Sequence, residues 1–307
     1  MECFGDSSDD DDEAGNETAI KRDESCGLCC FHPNTEASLL NHVRNSLKTV
    51  ASSTTLPDEQ NKLERSRERS SSVLQAIDTF CMSRHWMMHV GPEKGDILLN
   101  AMQDAMNNKM KDSPLEYNIP FVAVELGTYC GYASILMGQT FCKSKPATMN
   151  CHLFTTEIHP EYAEIATEMI QLSGMEDLIS VHQISYNGHD TDLVSVVGDA
   201  MKKSNPQNSS QATKIDFLFI DHDKDAYKTD LCKIEASGMI CRGTKVVADN
   251  VLFANIDDYV GYVQQRKKEG IVETRTIPCH VEYSGDNNET GEDHQDGVEI
   301  TDYLRDP

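Results

Sequence analysis

Between Phe121 and Val251 the chain alternates short runs rich in apolar residues with longer stretches whose apolar residues recur every three or four positions. The runs "FVAVEL", "HLFTTEI", "LISVHQI", "FLFI" and "TKVVADN" predict strands. The segments "GYASILMGQTF", "PEYAEIATEMIQLSG" and "TDLVSVVGDAMKK", with a short one from about Tyr227 to Ser237, predict helices. In the second of these, Pro160 and Gly174 supply start and stop signals. This alternation predicts an α/β fold with a mostly parallel sheet and helices on both faces. "IDDYVGYVQQRKKEG" reads as a last helix, and "IVETRTIP", "HVEYS" and "GVEITDYL" as closing strands.

Upstream, Leu39, Leu40, Val43, Leu47 and Val50 share one helical face. "SSTTLPDEQNKLERSRERSSS" is polar enough to be either a linker or a highly exposed helix, and "SSVLQAIDTFCMSR" restores the helical period. Pro92 suits the first turn of "PEKGDILLNAMQDAM".

Composition adds the division of the chain. The acidic runs "GDSSDDDDEAGNE" and "SGDNNETGEDHQD" are poor in apolar residues and read as solvated and disordered. Residues 1–34 are therefore expected to be a tail, 35–70 a helical or linker extension, and 71–307 the principal domain. A formal net charge of -24 argues against nucleic acid or an anionic membrane as partner, because both select clustered Lys and Arg. No stretch approaches the ~20 apolar residues of a membrane span, and the start lacks a basic-then-apolar signal. A cytoplasmic monomer is the expectation. Eleven cysteines, an odd number, suit reduced thiols. Cys26, Cys29, Cys30 and His32 are a candidate zinc set, but without a second pair at standard spacing free thiols are the better reading.

The chemistry-bearing residues fall at strand ends, where open parallel sheets bind ligands. Gly127 and Gly131 in "VELGTYCGY" place a glycine turn directly before a helix N-terminus, which suits close approach to a ligand or simply a tight connection. Glu157, at the end of the next strand, is positioned to accept hydrogen bonds from two ribose hydroxyls. The pair points to an adenosine ligand. G-x-x-x-G is not the dinucleotide pattern and no "GKS" or "GKT" phosphate loop is present, so S-adenosylmethionine is favoured. Asp221 in "FIDHDKD" and Asp249 and Asn250 in "VVADNV" offer oxygen ligands that suit Mg²⁺. Taken singly, each is as well explained as a turn residue. Lys224, three residues after Asp221, is a candidate general base.

Assembled, "SVLQAIDTFC", "HWMMHVGPEKG", "VELGTYCGY", "EIHPEYAEIA", "FIDHDKDAY", "GMICRGTKVVADNV" and "DGVEITDY" resemble, in order, blocks of the catechol O-methyltransferase family over roughly Ser72 to Tyr303. The resemblance implies a Rossmann-like, mostly parallel seven-stranded sheet. It implies transfer of the methyl group of S-adenosylmethionine to one catechol hydroxyl, and a role in catecholamine metabolism. Asp221, Asp249 and Asn250 would hold Mg²⁺, Lys224 would take the hydroxyl proton, and Glu282 would hydrogen-bond the other hydroxyl. Met88, Val90, Glu125, Gly127, Tyr129, Ala133, Glu157, Ile158, Tyr186, Asn187, Asp221 and His222 fall where the family contacts the cofactor. Trp86 matches one wall of the substrate site, with Lys224, Asn250 and Glu282 completing it. Asp223 stands where the family carries a tryptophan, Ala254 where it carries a proline, and Ile184 and Tyr186 where its residues are small. These departures bear on substrate range. Two other readings remain beside a catechol substrate: another small phenolic acceptor, and a non-catalytic chain that keeps the fold as an interaction partner.

Overall fold

Apolar runs of four to nine residues pair into one seven-stranded sheet in a computed structural model of the chain, which describes residues 34–50, 59–84, 86–112, 119–144, 149–186, 188, 190–204, 214–282 and 294–307. Three helices precede the sheet: α1 (Thr35–Val50), α2 (Glu59–Ser83) and α3 (Gly91–Asp112). Then β1 (Ile119–Leu126), α4 (Tyr132–Ser144), β2 (Met149–Glu157), α5 (Pro160–Ser173), β3 (Ile179–Gln183) and α6 (Leu193–Ser204) alternate. The second half runs β4 (Phe217–Ile220), α7 (Tyr227–Ala236), β5 (Lys245–Ala248), α8 (Asp257–Lys268), β6 (Val272–His280) and β7 (Gln295–Tyr303).

The strand order is β3-β2-β1-β4-β5-β7-β6, parallel from β3 to β5, with β7 antiparallel to both of its neighbours. This is a Rossmann-like α/β fold. Side chains of β1 alternate between two cores, as strand geometry requires. Phe121 and Ala123 join one formed with α1 to α5, and Val122, Val124 and Leu126 join another with α6, α7 and α8. Burying both faces explains why the central strands read as unbroken apolar runs.

The charged stretch before Ser72 is helical from Glu59, and α2 passes without a break through Ser70 and Ser71. Its arginines give the reason. Arg67 donates to the carbonyl of Cys142 and Arg69 to that of Leu172 (3.2 Å), near the C-terminal ends of α4 and α5. Carbonyls there have no helical partner, so guanidinium groups on α2 satisfy them.

Two strands close the sheet rather than the three expected. "IVETRTIP" and the first residue of "HVEYS" form one continuous β6, in which Pro278 pairs opposite Gly297. An edge strand tolerates a residue without an N–H. Among the described residues, Cys130, Cys232, Cys241 and Cys279 are free thiols. Cys26, Cys29, Cys30, His32 and most of both acidic runs lie outside the described residues. Among the described residues, no helix is long and apolar enough to cross a membrane.

The sheet reverses direction of growth between β1 and β4, and there the two strand ends meet. Gly127 has φ +94°, and a Cβ on it would lie 2.4 Å from the carbonyl oxygen of Asp221. Glycine is therefore required twice over, for its backbone angle and for the approach. Gly127→Ala should lower unfolding stability by on the order of 3 kcal/mol, from a left-handed β-carbon and an overpacked contact. Urea denaturation measures it; an unchanged midpoint would contradict the contact.

Candidate active site

One half of the site is built on the turn between β1 and α4. Gly127 and Thr128 donate to the carbonyl of Thr156 (3.1 and 3.0 Å), which ties the turn to the end of β2. Glu157 clamps it from the same side. Its Oε2 accepts from the Tyr129 N–H (2.9 Å), and its Oε1 from those of Ile158 and His159 (both 2.9 Å). Tyr129 holds a left-handed backbone (φ +48°), unusual for a bulky residue, and its hydroxyl donates to Glu36 on α1 at 2.8 Å. Backbone strain of this kind persists only where neighbours fix it, and here Glu157 and Glu36 hold both ends of the residue.

Glu125, fully buried at the end of β1, accepts from Ser134 and Thr155 through Oε2. Burial pushes its carboxyl up to about 8 against those hydrogen bonds, so it is largely neutral at pH 7. Its Oε1 has no partner. Neither does Nε2 of buried His89, whose ring lies 5.3 Å from that of Tyr129 and 5.4 Å from that of Tyr132. Burial drives His89 down to about 3, leaving a neutral imidazole. Nδ1 of His222 is a third buried atom without a partner, while its Nε2 meets Asp230 at 3.0 Å. Buried polar atoms without partners are rare. Three on or beside the candidate cofactor residues fit a polar ligand of the S-adenosylmethionine kind.

The other half stands at the ends of β4 and β5. Lys224 donates from Nζ to Asp221 Oδ1 (2.7 Å) and to the Tyr227 hydroxyl (2.8 Å). Asp249 is buried and faces Lys94 Nζ, which lies 3.1 Å from its Oδ1. The same ammonium reaches Glu282 (2.9 Å) and Asp296 (2.6 Å). Burial alone would lower the Lys94 pKa, but Asp249, Glu282 and Asp296 together outweigh it and hold the ammonium far above the ordinary lysine value. Burial raises the Asp249 carboxyl, Lys94 pulls it back, and Asp221 and Glu282 push it up again, to about 7.

The charge balance tests whether a divalent ion fits. Fully ionised, four carboxylates (Asp221, Asp249, Glu282, Asp296) stand against two ammonium groups (Lys94, Lys224), a formal excess of two negative charges; burial raises the Asp249 and Glu282 carboxyls, so either protons or a cation offset that excess. Asp221, Asp249 and Asn250 offer two carboxylates and an amide, hard oxygen donors of the type Mg²⁺ takes alongside water and substrate. Among the described residues, no three His, Cys, Asp or Glu side chains group to enclose a metal.

Trp86 is brought to Glu282, donating Nε1–H to its carbonyl oxygen at 3.0 Å. Val90 and Ala133 are buried, whereas Met88, Ile158 and Tyr186 are exposed. Asn187 lies outside the described residues. Ile184 is buried and its N–H donates to the Glu157 carbonyl (2.9 Å); Asp223 is exposed and Ala254 half-buried. Glu36, His89, Lys94 and Asp296 are the participants that sequence reasoning missed. A lysine and an aspartate within apolar periodic stretches, "EKGDILL" and "DGVEI", were the available signal.

Residues 87–270 match the family described as O-methyltransferase. Catechol O-methyltransferase of Mus musculus is 32% identical over 193 residues, 63% of this chain and 61% of that protein. Catechol O-methyltransferase B of Danio rerio is 31% identical over 223 residues, 73% of this chain and 71% of that protein. The chain thus spans less than two thirds of the mouse relative's length. The crystal structure of the O-methyltransferase from Bacillus cereus in complex with SAH aligns over 85% of this chain and 99% of that chain, at 16% identity and a TM-score of 0.49.

Glu125 gives the site a pH signature. Between the ordinary carboxyl value of 4.5 and about 8, the folded chain keeps a proton that the unfolded chain has released. Its contribution to stability therefore falls as pH rises through that window. The melting temperature of Glu125→Gln should gain on that of the parent chain from pH 5 to pH 8; parallel curves would contradict a buried, protonated carboxyl.

Proposed function

The chain belongs to the O-methyltransferase family, and on that premise we propose that it transfers a methyl group from S-adenosylmethionine to one hydroxyl of a catechol or similar vicinal diol, with Mg²⁺ bound at the site. The observation that carries this reading is the contact between the two halves. Gly127, in the turn suited to the cofactor, packs against the backbone of Asp221, a candidate metal ligand bonded to the candidate base Lys224. That contact supports a reading in which methyl donor and acceptor meet at the ends of β1 and β4.

A sulfonium is already a strong methyl donor, so the protein's task is alignment and activation of the nucleophile. Asp221, Asp249 and Asn250 would hold the ion, which when bound supplies charge that lowers a hydroxyl's pKa and orients a diol through two oxygens. Lys224 Nζ, as the neutral amine, takes the proton of the attacking hydroxyl and becomes an ammonium, and its contacts with Asp221 and the Tyr227 hydroxyl fix its direction. Glu282 accepts a hydrogen bond from the second hydroxyl, and Trp86, tied to its backbone, lies against the ring. Exposed Asp223 beside Lys224 favours an acceptor whose side chain carries a cation.

Calorimetric titration with S-adenosylmethionine, followed by methyl transfer to a simple catechol with and without Mg²⁺, tests the proposal. Cofactor binding and metal-dependent transfer are expected, with little transfer to a monophenol. Asp249→Ala should reduce turnover at least about 10²-fold, and Lys224→Met should do the same through kcat rather than KM. No cofactor binding, or full turnover by Asp249→Ala, would overturn the reading.

A further inference from the structure

Asp296 opens β7 as a fully buried carboxylate, and four donors converge on its two oxygens. Oδ1 accepts from the N–H groups of Phe253 (3.0 Å) and Gly297 (2.7 Å), and Oδ2 from Lys94 Nζ (2.6 Å) and the Asn250 side-chain amide nitrogen (2.9 Å). A carboxylate so engaged acts only as an acceptor. That settles which end of the Asn250 amide faces it. With the amide reversed, its oxygen would oppose a carboxylate oxygen, an acceptor facing an acceptor, and Oδ2 would keep only its Lys94 donor. Asn250 is otherwise held in a left-handed backbone (φ +58°) one residue beyond Asp249, whose Oδ1 accepts the Asn250 N–H at 2.8 Å.

Lys94 completes the arrangement from α3. Its ammonium has three N–H groups and three carboxylate partners, Asp249, Glu282 and Asp296, with 1% of the side chain exposed. It has no donor left for substrate. The ammonium instead fixes Asp249 and Asp296 relative to each other across β5 and β7, strands that pair directly in the sheet.

We propose that Asp296, anchored by Lys94, is a positioning residue that turns the Asn250 amide so that its oxygen, not its nitrogen, is presented to a divalent cation. This rests on the metal reading given under Proposed function. Side chains that orient a ligand in this way typically contribute 10–100-fold in metal affinity.

The test is Mn²⁺ affinity of the full chain, followed by the loss of the free-ion electron paramagnetic resonance signal, with folding checked by circular dichroism. Asp296→Asn should raise the Mn²⁺ dissociation constant about 10–100-fold. Adding Asn250→Asp to Asp296→Asn exchanges donor and acceptor: the new carboxylate has no wrong end, and the new amide can donate to it. The double variant should bind Mn²⁺ within a few-fold of the parent chain. A purely structural role for Asp296 would leave both variants equally weak, and that result overturns the proposal. So does an unchanged affinity in Asp296→Asn. If the parent chain itself binds no Mn²⁺, the metal reading fails with it, an outcome distinct from a parent that binds and a variant that binds equally well.

Discussion

A single buried ammonium, Lys94, stands among three carboxylates drawn from three separate parts of the chain: Asp249 after β5, Glu282 after β6 and Asp296 in β7. Moving any of these groups out of water is unfavourable by several kcal/mol, and the arrangement holds only because each charge meets an opposite one at hydrogen-bond distance. Such clusters are poor sources of net stability. They are strict about geometry, since displacing one member strands the others in a medium that cannot solvate them. Here the geometry so enforced is that of one candidate metal ligand, Asp249, one candidate substrate contact, Glu282, and Asp296, which bonds a second candidate ligand, Asn250.

The sheet topology explains why the cluster lies beside the glycine turn. Growth outward from β1, first to β2 and β3 and later to β4 and β5, reverses at that strand, the place at which open sheets of this kind bind ligands. The turn after β1 and Asp221 after β4 border it in direct contact. Helices α1 and α3, which precede the sheet, reach back over this edge through Glu36 and Lys94. The N-terminal helices therefore belong to the architecture of the site and share a core with the central strands.

Local signals were legible in the sequence and long-range ones were not. Glycines before a helix, an acid at the end of each of three strands and a lysine one turn on from Asp221 are each patterns read within a short local stretch, and the fold brings them to one edge of the sheet. Glu36, Lys94 and Asp296 carry no such mark, because their importance lies in distant partners: Tyr129 is 93 residues from Glu36, Glu282 is 188 from Lys94, and Asn250 is 46 from Asp296. The polar run before Ser72 was ambiguous for the same reason: its helix is fixed by carbonyls of α4 and α5, which no local propensity reveals. "HVEYS" misled in the opposite direction. Pro278 reads as a break, but at an edge strand it interrupts nothing.

The proposed function requires a divalent cation to offset the formal excess of negative charge among the strand-end carboxylates, in place of the protons that the raised Asp249 and Glu282 carboxyls favour. Anomalous scattering from crystals grown with Mn²⁺ tests it most directly. The account predicts one peak per chain, about 2 Å from oxygens of Asp221, Asp249 and Asn250, with Lys94 still bonded to Asp296. Crystals at saturating Mn²⁺ with no peak at that position, or with a peak only elsewhere on the surface, would contradict it.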